Sequence, residues 1–217
     1  MKGKPIETRV LSARILASTA PELLSQLRIR EGDRALGMFT TDCDDVGYTA
    51  LDEATKKADV HVAYAKSMYA GASNASTANA GEFIGILSGP SPAEVRSGMD
   101  AAVTFMREEA HFYTANEEET VVYYAQVISR TGSYLSGIAG VPEGTAMAYL
   151  IAPPLEATMG LDAALKAADV TLRTYYGPPT ETNFAGGLLT GSQAACKAAC
   201  EAFADMVCKI AENPLEY

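Results

Sequence analysis

The sequence predicts an α/β protein made of two similar units, each combining a small sheet with helices. The strongest observation is an internal repeat: LDEATKKADV at 51–60 returns as LDAALKAADV at 161–170, with seven of ten positions identical. The offset of 110 residues is about half of the 217-residue chain. A second pair, FIGILSG at 83–89 and AGGLLTG at 185–191, supports the duplication. Repetition at this spacing indicates two domains of one kind.

Each half carries the same order of elements: two strands, a helix, two strands and a closing helix. In the first half, apolar runs predict strands at 13–18, 36–40, 60–64 and 82–87, with an Ala-rich helix at 47–58. In the second half, the matching strands are 123–129, 147–152, 170–175 and 184–189, with a helix at 160–168. The first closing helix should begin at Ser91, an N-cap residue followed by Pro92 and by Glu94 at the capping-box position. The second should run from Ser192 to Glu212.

We expect two domains, residues 1–112 and 113–217, with the boundary near 108–118. There, acidic clusters bracket His111, Phe112 and Tyr113. The two repeat offsets differ by eight residues, which gives the first domain a longer connection around 68–80. Because that connection is small, polar and contains glycine, we expect a mobile loop.

Composition limits the classes of function. The formal net charge is −10, and since phosphate binding depends on Lys and Arg, we expect no nucleic-acid partner. No apolar run reaches the ~18 residues that a membrane helix needs, and the N-terminus does not resemble a secretory signal. We therefore expect a soluble cytoplasmic protein with reduced cysteines.

The remaining motifs favour structural roles. His61 and His111 lack the spacing of a metal site or a catalytic triad. Cys196, Cys200 and Cys208 lie on an Ala-rich helix, where packing is a better interpretation than a zinc or redox site. No combination of nucleophile, base and orienting residue can be assembled. The sequence thus predicts neither an enzyme nor a cofactor or metal.

An acidic cluster is the best candidate for a ligand site. Asp42, Asp44 and Asp45 follow directly after a predicted strand, and Glu82 opens another. Spacing alone favours capping of the next helix by one of these carboxylates, while a divalent cation or an organic cation remain alternatives. Two carboxylates that converge in a partly enclosed site would favour an ammonium-bearing metabolite, because Coulomb attraction grows as water is excluded.

Several long segments then reveal a family resemblance. The chain resembles the L-type shell proteins of ethanolamine-utilisation bacterial microcompartments over nearly its whole length. The segments that carry the resemblance are DDV at 44–46, ATK at 54–56, SMYAGA at 67–72, SRTGSYL at 129–135, APPLEAT at 152–158 and LTGSQAACKAAC at 189–200. The resemblance implies two tandem, circularly permuted microcompartment domains with ferredoxin-like sheet-plus-helix architecture.

The resemblance also implies an assembly and a gate. Three chains would form a pseudo-hexagonal tile that packs with other shell proteins around an enzyme-filled lumen. The threefold axis would carry a gated pore, and the residues that match its gate are Tyr69, Ala70, Gly71 and Phe112. A ring on a glycine-containing loop can plug or vacate an opening at little backbone cost.

A smaller pore within each subunit is implied to bind ethanolamine. The matching residues are Asp45 and Glu82, for the ammonium and hydroxyl ends, with Phe112, Thr182, Asn183 and Phe184 beside them. A corrinoid cofactor in transit is a further candidate passenger. Two other classes stay open at this point: an amine sensor built on a duplicated domain, and, less favoured, an amine-processing enzyme.

Overall fold

The computed structural model describes residues 3–27, 29–68, 79–178 and 180–216, which form two compact units. The first unit comprises Thr8–Ala110 together with Gly132–Leu135. The second comprises residues 3–7, His111–Thr131 and residues 136–216. The main change of unit therefore falls at residues 110–111. Two short segments, 3–7 and 132–135, belong to the unit that is built mostly from the other half of the chain.

The first unit is an antiparallel sheet with two long helices packed on it and on each other. Its strands are β2 (Val10–Leu16), β3 (Ala35–Thr41), β4 (His61–Ser67) and β5 (Phe83–Gly89), and its helices are α1 (Pro21–Leu24), α2 (Asp44–Lys57) and α3 (Pro92–Glu108). The strand order is β2-β3-β5-β4. The central strand β5 is buried along most of its length, as expected for a strand flanked on both sides and covered by helices.

The second unit repeats this arrangement and extends it. Its elements are β1 (Pro5–Ile6), β6 (Phe112–Thr114), β7 (Val122–Ile128), α4 (Ser133–Ala139), whose first turn lies in the first unit, β8 (Met147–Ala152), α5 (Pro154–Ala167), β9 (Val170–Tyr176), β10 (Ala185–Gly191) and α6 (Gln193–Glu212). The strand order is β1-β6-β7-β8-β10-β9. Its last four strands reproduce the order of the first sheet, so the sequence repeat corresponds to a structural repeat.

The repeat extends to an irregularity in each sheet. The pairing of β4 with β5 shifts register between Val62 and Tyr64. The pairing of β9 with β10 shifts at Arg173, between the partners of Leu188 and Leu189. The two extra residues, Ala63 and Arg173, are 110 positions apart, which is the offset of the sequence repeat. Both bulges lie on a strand at the end of its sheet.

Most predicted elements are present, with shifted ends. The predicted Ser91 cap is confirmed, since its hydroxyl accepts from the N–H of Glu94 at 3.2 Å. Ser192, the predicted start of the second closing helix, is also an N-cap and accepts from the N–H of Ala195 at 3.1 Å. Glu94 does not complete a capping box, because its carboxylate accepts from the N–H of Asp59 at 2.8 Å. The helices α2 and α5 begin three and six residues earlier than predicted.

The core of the second unit is rich in alanine and contains three thiols. Cys196 and Cys200 are fully buried and Cys208 is 8% exposed, among alanines of α5 and α6 and the ring of Phe203. None of these three thiols forms a disulfide, and burial raises the pKa of Cys200 well above its usual range. These cysteines therefore act as small apolar side chains.

No helix in the described ranges is long and apolar enough to cross a membrane.

Candidate functional site

The acidic cluster lies at the start of α2 in the first unit. Asp44 and Asp45 occupy the first turn and are 7% and 6% exposed. The N-cap residue of α2 is Cys43, and it makes no side-chain capping bond. The prediction that a carboxylate is the N-cap of this helix is therefore wrong. A carboxylate oxygen of Asp44 accepts from the N–H of Asp45 at 2.9 Å. Negative charge in the first turn is favoured by the helix dipole, which helps to explain two nearly buried carboxylates in sequence.

Asp42 is held by an arginine that the sequence did not single out. One of its oxygens accepts from the backbone N–H of Arg9 at 2.8 Å, and the other from Arg9 Nε at 2.6 Å. The Arg9 side chain is 74% exposed and that of Asp42 is 15% exposed. An ion pair with Arg9 thus holds Asp42 at the edge of the cluster, between neighbouring strand ends.

Glu82 lies immediately before β5, half-buried, with its backbone N–H donated to the carbonyl of Thr41 at 2.8 Å. Burial, followed by repulsion from Asp44 and Asp42, raises the pKa of Glu82 to about 7. Burial also raises the pKa of Asp44, although a hydrogen bond from Ser67 opposes that rise. The arrangement therefore concentrates carboxylates in a partly buried place, and a cation placed there would lower the cost of ionising Glu82.

An aromatic residue of α2 borders the cluster. The Tyr48 hydroxyl accepts from the backbone N–H of Ser67 at 2.9 Å and bonds to its side chain at 2.9 Å. The Tyr48 ring meets Phe83 edge-on, with centroids 4.7 Å apart. These contacts fix the last residue of β4 and the first residue of β5 beside the start of α2. In the sequence, the only sign of this role is an aromatic residue in the second turn of a helix of mostly polar and small residues.

Phe112 and Phe184 are brought together in the second unit. Their rings meet edge-on with centroids 5.9 Å apart, and Phe112 also stacks on Tyr124 at 5.2 Å. Phe112 lies in β6 and is 8% exposed. The ring is therefore a fixed part of an aromatic cluster.

Thr182 and Asn183 lie in the turn that leads into β10. The Thr180 hydroxyl accepts from the N–H of Phe184 at 3.1 Å and donates to its carbonyl at 2.8 Å. Asn183 has a φ of 63°, a left-handed conformation that asparagine tolerates better than most residues. The turn thereby presents an exposed amide side chain next to Phe184.

The predicted site residues thus fall into three groups. Asp45 and Glu82 lie with Asp42 and Asp44 in the first unit; Phe112, Thr182, Asn183 and Phe184 lie in the second unit; Tyr69, Ala70 and Gly71 lie outside the described residues. As the repeat predicts, Glu82 and Phe184 each directly precede a matching strand. Among the residues with described positions, no set of three or more His, Cys, Asp and Glu side chains could hold a metal ion.

Comparison with known proteins identifies the family. The BMC domain matches residues 35–123. Across 217 residues, all of both chains, the sequence is 60% identical to the bacterial microcompartment shell protein EutL of Clostridium perfringens. It is 51% identical to EutL of Escherichia coli over 97% of this chain and 96% of that protein.

The fold gives the same result. The crystal structure of ethanolamine utilization protein EutL from Leptotrichia buccalis aligns with a TM-score of 0.98 at 59% identity, covering both chains completely. The predicted fold class and the resemblance to L-type shell proteins are thereby confirmed. The chain belongs to the EutL family of BMC-domain proteins and is a structural protein of the shell of the ethanolamine-utilisation microcompartment, not an enzyme.

Proposed function

We propose that three copies of this chain form a tile with a gated central pore, and that each copy binds a small amine, ethanolamine, at its acidic cluster. The tandem repeat supports the trimer, because six matching units from three chains can form a ring with near-sixfold character. Two tandem domains of about equal size are also what a pseudo-hexagonal tile requires. Contacts with other shell proteins would extend the tile into a layer.

The observation that carries the amine proposal is the environment of Glu82. Its carboxyl is half-buried beside Asp44 and Asp42, and its pKa is raised to about 7 by burial and by that repulsion. An ammonium group would relieve the repulsion, whereas an anion would increase it. We assign Asp45 and Glu82 to the polar ends of ethanolamine, as the family resemblance implies.

As the family resemblance implies, we also assign Phe112, Thr182, Asn183 and Phe184 to the amine site. Phe112 packs against Tyr124 and Phe184, and Thr182 and Asn183 lie in the turn before β10. The gate of the central pore is assigned to Tyr69, Ala70, Gly71 and Phe112, as the family resemblance implies.

Neutralising the acidic pair tests the amine site. We expect the double variant Asp45→Asn, Glu82→Gln to lose ethanolamine binding in isothermal titration calorimetry, because it removes the charges that attract the ammonium group. The affinity of the unmodified protein should be modest, since a pore must release what it binds. The same change of chemistry at exposed helix positions, Asp100→Asn with Glu201→Gln, provides the matched control.

Assembly is measured on the same samples. Light scattering should give trimers for the unmodified protein, the double variant and the control. Retained binding by the double variant would exclude the acidic cluster as the site, and a monomer at all concentrations would exclude the tile.

A further inference from the structure

The repeated helices α2 and α5 carry matching stripes that differ in exposure. On α2 the stripe is buried, with exposed fractions of 6% for Asp45, 2% for Thr49 and 1% for Asp52. On α5 the matching stripe, 110 residues later, faces solvent: Leu155 is 60% exposed, Met159 is 47% exposed and the Asp162 side chain is 59% exposed. A row of exposed apolar side chains on a helix indicates a surface that another element covers.

A short segment of the chain covers Asp52 on α2. One oxygen of the Asp52 carboxylate accepts from the N–H of Gly132 at 2.8 Å, and the other from the N–H of Leu135 at 2.9 Å. The Leu135 side chain is fully buried. The residues that follow β7 thus donate two hydrogen bonds to this stripe, and Leu135 is itself buried within the first unit.

The internal repeat shows that the segment corresponding to residues 132–135 lies after β2 in the first half of the chain. The N–H of Thr19 donates to the carbonyl of Arg34, and the N–H of Thr131 donates to the carbonyl of Thr145, both at 3.0 Å. With Thr19 aligned to Thr131, α1 and α4 begin at matching positions. Leu23 then corresponds to Leu135, yet it is 45% exposed. The first repeat therefore presents an exposed leucine on the short helix α1. The second repeat has an exposed stripe on α5 on which such a leucine could pack.

We propose, on the basis of the trimer proposed above, that α5 of one chain receives residues 20–23 of a second copy, as α2 receives residues 132–135. Leu23 of the second copy packs on the stripe formed by Leu155 and Met159, and the carboxylate of Asp162 accepts from the backbone N–H at the start of that segment. The two contacting surfaces are different, so the contact is head-to-tail. Such contacts close into a ring when the rotation between copies allows it.

The contact between chains differs in detail from the one on α2. A Cβ at Gly132 would lie 2.6 Å from the backbone oxygen of Asp52 and would also meet the Thr55 hydroxyl. Ala20, which matches Gly132, carries that Cβ, and Leu165 stands in place of Thr55. The incoming segment must therefore lie farther from α5 than residues 132–135 lie from α2. The larger side chains Leu155 and Met159, in place of Asp45 and Thr49, can fill that additional space.

Cysteine cross-linking tests the contact directly. The rings of Tyr48 and Tyr134 stack at 6.4 Å, and their matching residues, Thr158 and Glu22, are both exposed. We expect mixed trimers assembled from Glu22→Cys chains and Thr158→Cys chains to give covalent dimers with a short bifunctional thiol reagent. Each variant alone and the unmodified protein, which retains Cys43 and the three buried cysteines, are the controls.

A substitution gives a second, independent measurement. Leu23→Asp should raise the dissociation constant of the trimer by roughly tenfold or more, because a charge would be buried against α5. Leu215→Asp makes the same change at a residue that is 88% exposed and should leave assembly unchanged. Circular dichroism establishes that both variants are folded.

The outcomes separate this contact from the tile itself. Trimers that neither cross-link in the mixed sample nor weaken with Leu23→Asp would overturn the contact and leave the tile standing. Failure of the unmodified protein to form trimers would overturn both.

Discussion

The Glu82 carboxyl couples the stability of the first unit to pH. Its pKa is raised from an ordinary value of 4.5 to about 7, so the folded protein keeps this proton over a range in which the unfolded chain loses it. Where the folded state binds more protons, the free energy of unfolding falls as pH rises. The contribution of Glu82 to the free energy of unfolding is therefore smallest above pH 7.

We expect Glu82→Gln to remove this dependence. Between pH 4.5 and 7, the unmodified protein should lose about 1–2 kcal/mol of unfolding free energy relative to the variant, after allowance for screening of a half-exposed group. Urea denaturation across this range is the measurement. Glu201→Gln, at an exposed position of α6, should follow the unmodified protein, and parallel curves for Glu82→Gln and the unmodified protein would contradict the role assigned to burial.

At the scale of elements, α2 depends on one buried carboxylate. Asp52 accepts two backbone N–H groups, from Gly132 and Leu135, with its side chain 1% exposed. Asp52→Ala would leave those donors without their acceptor, and a buried donor without a partner costs about 1–3 kcal/mol. We expect a loss of about 2–3 kcal/mol in unfolding free energy, measured by denaturant titration.

The control for Asp52 is an aspartate on another helix of the same unit. Asp100 on α3 is exposed, so Asp100→Ala should change stability by no more than about 0.5 kcal/mol. Equal losses for the two variants would mean that the bonds to Gly132 and Leu135 contribute little.

Much of the order of strands and helices could be predicted from the sequence. Strands β5 and β10 are short apolar runs with matching sequences, and Ser91 and Ser192 are strong N-cap residues, so these elements were predicted nearly to the residue. The start of α2 was placed too late because Asp44 and Asp45 resemble a polar strand exit. Four-residue α1 and two-residue β1 carry too little periodicity to be recognised.

The candidate site was only partly predictable. Acidic residues at 42, 44, 45 and 82 could be grouped because each lies beside a strand end, and the structure places them in one unit. The partners that shape the cluster, Arg9 and the Tyr48 hydroxyl, depend on strand pairing and on side-chain direction. Neither is visible in local sequence. The different exposure of Asp52 and Asp162, which carry the same local motif, depends on tertiary contacts alone.

At the scale of the whole molecule, charge opposes assembly. Each chain carries a formal charge of −10, and bringing copies together in a layer raises the density of like charge. Salt screens this repulsion, with a Debye length of about 8 Å at 0.15 M. Apolar contacts such as the one proposed for Leu23 are not weakened by salt in this way.

We therefore expect extended layers to form more readily as ionic strength rises. Electron microscopy of concentrated protein across a salt series, with turbidity followed in parallel, is the measurement. Arg9→Gln, which removes an exposed positive charge, should shift layer formation to higher salt, whereas Glu201→Gln should shift it to lower salt. Layers that dissolve on addition of salt would indicate that ion pairs, not apolar contacts, join the tiles.

The paired bulges at Ala63 and Arg173 have a consequence for how copies can meet. Each interrupts the regular row of backbone donors and acceptors on an outermost strand, β4 or β9, and an interrupted row is a poor template for a further strand. In the proposed tile, β4 and β9 would therefore be poor places for one copy to fuse its sheet with that of a neighbour.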